Sequence, residues 1–155
     1  MKSHPQAQIK QAMRLQQSGQ IQQAMRIYEQ ILKKDANHPD ALHLLGLSHH
    51  QLGNTEKAIE YINKAIGTAP KVPTLHNNLG EAYRLGGQLG SAQKCYEKAL
   101  QLQPDHVGAH NNLGIIWSEM GRHEDAVNSY QRSLNINPEF GPALKNLANA
   151  LVDSG

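Results

Sequence analysis

Few side chains in this sequence are spaced for covalent chemistry, and a row of amides recurs at a fixed spacing. Asn78, Asn112 and Asn146 fall 34 residues apart, with Asn77 and Asn111 directly before the first two. A carboxamide offers one acceptor and two donors, so such a row suits hydrogen bonding to another chain. Nine histidines raise the question of a metal. His106 and His110 are four apart, but a junction between structural units is expected to fall between them, and His49 and His50 are adjacent and diverge on a helix. No Cys or carboxylate cluster supplies the remaining ligands of a zinc site, so the histidines read as packing or surface groups and no metal or cofactor is expected. Cys95 is the single cysteine, with no cationic cluster near it, and reads as a partly buried, unreactive thiol. Glu119, Glu124 and Asp125 read as solvated charges beside a turn. Serine-hydrolase, phosphate-loop and dinucleotide signatures are missing from the sequence, so the chain is expected to be no enzyme.

The elements that carry these residues follow from a period. Gly19, Gly53, Gly87, Gly121 and Gly155 are 34 residues apart, and so are Gly46, Gly80 and Gly114. Ala24, Ala58, Ala92 and Ala126 keep the same step, as do Pro70, Pro104 and Pro138. A fixed period of this size marks a stacked repeat array. Within each period the apolar residues keep helical spacing on both sides of a glycine turn. Opening helices are expected near 6–18, 40–52, 74–86, 107–120 and 142–153, and returning helices near 21–34, 55–68, 89–102 and 123–136. Pro5, Pro39, Pro73 and Pro142 stand at or beside helix starts, where a missing N–H costs little. Gly46, Gly80 and Gly114 are expected to let a neighbouring helix approach closely, with the alanine row opposite and Tyr28, Ile62, Tyr96 and Tyr130 filling the remaining gap.

Composition narrows the function. Fifteen Lys+Arg against thirteen Asp+Glu give a net charge of +2, and the basic residues are scattered, so neither nucleic acid nor an anionic membrane surface is implied. No apolar run approaches the roughly 18 residues of a membrane span. The first residues run into glutamines, which argues against a secretory leader, and one cysteine fits a reducing compartment. A cytoplasmic location is expected.

These ladders resemble the tetratricopeptide repeat family. In the third repeat its pattern of bulky residue, Leu-Gly, aromatic, Gly, Ala, aromatic, Ala and Pro falls on His76, Leu79-Gly80, Tyr83, Gly87, Ala92, Tyr96, Ala99 and Pro104. The second repeat departs at His49 and Ile62, the fourth at Ser133, and the first is degenerate, with Gln8, Gln11 and Ala36. The resemblance implies an all-α, right-handed solenoid of stacked antiparallel helix pairs, a single domain over 1–155. Its repeats lie near 5–38, 39–72, 73–106 and 107–140, with an incomplete 141–155.

Family geometry places the opening helices along a concave groove. It implies that a protein or extended peptide meets His43, Leu47, Asn77, Asn78, Glu81, Asn111, Asn112, Ile115, Lys145, Asn146 and Asn149. The asparagines resemble the ladder inside the repeat superhelix of O-linked GlcNAc transferase, which holds substrate polypeptides. The main expectation is therefore a non-catalytic scaffold gripping a peptide backbone. The alternatives are the substrate-recruiting arm of a larger modifying enzyme, and a self-assembling module. A carboxylate clamp needs Lys and Arg beside Asn, whereas here Asn112 stands where Arg is expected and Lys145 is alone. Leu144, Leu147, Ala148 and Leu151 form an apolar stripe without the expected returning helix, which suggests a segment of a longer chain or self-association through this helix.

Overall fold

A computed structural model describes residues 4–153. Among them nine helices follow in order: α1 Pro5–Gln17, α2 Ile21–Lys34, α3 Pro39–Gln51, α4 Thr55–Thr68, α5 Pro73–Leu85, α6 Leu89–Leu102, α7 Val107–Glu119, α8 His123–Ile136 and α9 Gly141–Asp153. Every one begins and ends within one residue of the expected bounds. Gly155 and the first three residues lie outside the described part. No described helix is long and apolar enough to cross a membrane.

The chain divides into two compact units, Met1–Lys71 and Val72–Gly155. In the first, α1 packs on α2, α2 on α3, and α3 on α4; in the second, α5 through α9 stack in the same successive way.

Local chemistry explains this regularity. Prolines occupy the first turn of α1, α3 and α5, where no N–H is required. Each of α1, α3, α5 and α7 is then closed by a glycine in the left-handed region: Gly19, Gly53, Gly87 and Gly121 have φ of 82, 76, 75 and 75°. At Gly53 the N–H donates to His50 O at 3.0 Å while Asn54 N–H reaches back to His49 O at 2.9 Å. The same pair of bonds closes the turns at Gly19, Gly87 and Gly121, so four turns share one Schellman geometry that only glycine adopts cheaply.

The second glycine row works differently from expectation. A Cβ on Gly80 would lie 2.5 Å from Tyr96 Cε1, and one on Gly114 would strike Tyr130. The ring itself, rather than the alanine row, covers the glycine. In the first unit a Cβ on Gly46 would sit 2.7 Å from Ile62 Cγ1 and also meet backbone, at 3.2 Å from Ile62 N and 3.4 Å from Ala58 O. Tyr28, Ile62 and Tyr96 are fully buried, as are Ala24, Ala58, Ala92 and Ala126 beside them.

Candidate functional site

In the second unit, α5, α7 and α9 bring the asparagines together. Asn112 Nδ2 donates to Asn77 Oδ1 at 3.1 Å, Asn111 Nδ2 to Asn112 Oδ1 at 3.3 Å, and Asn146 Nδ2 to Asn111 Oδ1 at 3.0 Å. The result is one continuous row, Asn77–Asn112–Asn111–Asn146. Its links between helices span 35 residues, one more than the repeat, because facing places on successive opening helices are offset by one. Asn111 is buried; Asn77, Asn78, Asn112 and Asn146 are half-buried. Lys145 and Asn149 are exposed on α9.

Other expected site residues are engaged within the fold. Glu81 accepts the Tyr96 hydroxyl at 2.7 Å and pairs with Arg84 at 3.2 Å, and Arg84 reaches Glu119 on α7 at 2.9 Å. Burial alone would lower the Arg84 pKa, but the two carboxylates outweigh it and hold it above the ordinary value. Burial, then the neighbouring Glu81 carboxylate, raises the Tyr96 hydroxyl. Glu119 is thus a bridge between helices rather than a free surface charge. Ile115 packs against the cluster of Ala126, Tyr130 and Ala150.

In the first unit, α3 presents His43 and Leu47, both half-buried. Burial lowers the His43 pKa, partly opposed by Asp40. Gln16 Nε2 donates to Gln51 Oε1 at 2.6 Å, again a 35-residue step, and the Tyr28 hydroxyl donates to Gln16 Oε1 at 3.2 Å. His49 is buried and stacks on Tyr61, with centroids 5.4 Å apart.

Val107 opens α7, between the two histidines: His106 caps the helix, its Nδ1 accepting from Ala109 N–H at 3.1 Å, and His110 lies in its first turn. His110 is only half-buried, with its ring bonded to Pro104 O at 2.8 Å, whereas His76 at the equivalent place is buried. His38 caps α3 in the same manner as His106, and His4 caps α1 by accepting from Gln6 N–H. Sequence reasoning missed these caps, although the 34-residue spacing of His4 and His38 was a usable signal. Cys95 is half-buried, and burial pushes its thiol up to about 11. Among the described residues no three His, Cys, Asp or Glu gather as a metal site.

Comparison with known proteins fits this architecture. Residues 9–73 match one tetratricopeptide repeat model and residues 71–139 another. No curated protein matches significantly. Among solved structures, the chain resembles MamA at 25% identity, covering 93% of this chain and 84% of that one, with a TM-score of 0.80. It resembles a structure from work on Pseudomonas aeruginosa pilF at 22% identity, 97% and 68% coverage, and a TM-score of 0.88. It also resembles the first TPR of Spaghetti (RPAP3), solved bound to the HSP90 peptide SRMEEVD, at 22% identity, 77% and 94% coverage, and a TM-score of 0.71. The two repeat models together span residues 9–139, and the chain belongs to the tetratricopeptide repeat family of generally non-catalytic protein-interaction scaffolds.

Proposed function

We propose that the chain is a non-catalytic scaffold that holds an extended, uncharged polypeptide segment along α5, α7 and α9, with Asn77, Asn78, Asn111, Asn112 and Asn146 bonding its backbone. The linked row Asn77–Asn112–Asn111–Asn146 supports this reading. Each link uses one donor and one lone pair, so a carboxamide such as Asn112 or Asn146 keeps bonding capacity for a guest. The links also fix the orientation of the amides before binding, which reduces the ordering cost. Each guest bond contributes about 0.5–1.5 kcal/mol, so several must act together. An acidic peptide such as the one bound by the Spaghetti relative calls for cations, and this face offers Lys145 with Asn112 in the place a clamp gives to Arg.

The test is an isotope-labelled chain titrated with an uncharged, end-capped Gly-Ser peptide. Resonances of α5, α7 and α9 should shift, and the shifts should vanish when Asn78, Asn112 and Asn146 are changed together to Ala. An unchanged response in a folded triple variant sinks the reading. The same row would serve a substrate-recruiting arm of a larger modifying enzyme. Self-association has its own support in the exposed Leu144, Leu151 and Val152 of α9, at 49, 55 and 78% exposure, and a monomer in sedimentation at the highest soluble concentration removes it.

A further inference from the structure

Within the first unit a cavity of about 210 Å³ opens between α1 and α3, lined by Met13, Gln16, Gln17, Leu44 and Gln51. We propose that it is a side-chain subsite for one leucine- or methionine-sized aliphatic group of an uncharged partner segment. The subsite extends the scaffold reading without depending on the asparagine row.

The lining residues are two apolar side chains and three carboxamides, with no charge among them. A charged guest group would lose water there without meeting a counter-ion, which is strongly unfavourable. An aliphatic guest loses nothing polar and covers Met13, which is 40% exposed, together with half-buried Leu44. The space is open to solvent on one side, and its volume of about 210 Å³ leaves room for one such group.

Two hydrogen bonds fix a carboxamide at the rim. Gln16 accepts from the buried Tyr28 hydroxyl and donates to Gln51, so its carboxamide is held on both sides. Gln17 and the spare valences of Gln51 then lie beside any backbone entering the cavity. Between α5 and α7 of the second unit the place of Met13 is taken by Glu81, whose carboxylate is committed to Tyr96 and Arg84.

The experiment titrates the labelled full chain with three end-capped Gly-Ser peptides that differ at one central residue: Leu, Ser or Asp. The Leu peptide should shift resonances around Met13, Gln16, Leu44 and Gln51 and bind at least about ten-fold more tightly than the Ser peptide, the expected worth of burying such a side chain. The Asp peptide should produce no response in α1 and α3. Met13→Gln, at an exposed position, should erase the Leu preference while leaving the response of α5 to α9 unchanged; Leu44→Gln should do the same. Equal binding of the Leu and Ser peptides at α1 and α3, or a Leu preference that survives Met13→Gln, overturns the subsite. Shifts in α1 and α3 without any in α5 to α9 keep the subsite and reject the asparagine row, and the reverse pattern rejects the subsite alone.

Discussion

Gln16 and Gln51 in the first unit stand at the same repeat places as Arg84 and Glu119 in the second, each pair bridging two opening helices. One bridge is a neutral amide pair at 2.6 Å and the other an ion pair at 2.9 Å. The returning helices differ in a parallel way. The segment Lys94-Cys95-Tyr96 of α6 becomes Glu60-Tyr61-Ile62 in α4, so the ring moves by one residue, from a position fully buried over Gly80 to a half-buried one beside His49. Repeat geometry therefore fixes which places touch, and leaves open which chemistry fills them.

The largest expected break in this comparison is at the two rings. Tyr96→Ala removes a fully buried side chain and leaves Glu81 without its hydroxyl donor, and should destabilise by about 3–5 kcal/mol. Tyr61→Ala removes a half-buried ring whose main specific contact is the His49 stack, and should cost about 1 kcal/mol. Urea unfolding followed by circular dichroism measures both, and hydrogen exchange reports which unit opens first. Equal losses would mean that the one-residue shift of the ring carries no energetic meaning.

Gly80→Ala comes next. Helix propensity alone favours the alanine by about 1 kcal/mol. Three Tyr96 ring atoms lie within 3.0 Å of the added Cβ, however, and overpacking of this kind costs about 1–3 kcal/mol, so a net loss of about 1 kcal/mol is expected in urea unfolding. Gly46→Ala should cost less, because a single Ile62 atom stands that close.

The helices and turns were legible in the sequence because glycine, alanine and proline act locally and recur every 34 residues. The atom that each inner glycine faces was not legible, since Ala92 and Tyr96 lie one helical turn apart and only packing decides which covers Gly80. The asparagine positions were readable as a row, but their mutual bonds depend on a 35-residue offset that a 34-residue alignment hides. For the same reason Glu119 read as a solvated charge, and Arg84 drew no notice.

Acid should weaken the first unit more than the second. Burial and then Lys57 lower the His49 pKa, against Glu29 and Glu60, and burial lowers that of His43 against Asp40. In the second unit His106 is lowered by burial and by His110. A lowered folded pKa means that the unfolded chain binds more protons, so stability falls as pH drops from the unfolded value near 6.5 through the lowered folded values. His49→Tyr, the residue α5 carries at that place, should flatten the decline in the first unit. His106→Asn, which keeps a cap on α7 without titrating, should flatten the smaller decline in the second. Urea midpoints between neutral and mildly acidic pH test this, and a decline unchanged in both variants would assign the loss to other groups.

The smallest effect tests the helix bridges directly. Arg84 and Glu119 are partly exposed, so their attraction is screened by salt and should be worth no more than about 1 kcal/mol. Gln16 and Gln51 carry no charge, and their bond should not respond to salt. Replacing them together, Gln16→Arg with Gln51→Glu, transplants the ion pair onto α1 and α3 at the same repeat places. The transplanted unit should gain a salt-dependent increment of a few tenths of a kcal/mol, seen as a urea midpoint that falls when sodium chloride is raised. A double-mutant cycle isolates the pair from each single change. The Tyr28 hydroxyl bears on the outcome, because it donates to the Gln16 oxygen and an arginine there has no acceptor to offer. Tyr28→Phe in the transplanted background removes that orphaned donor, so it should raise the midpoint there and lower it in the original chain.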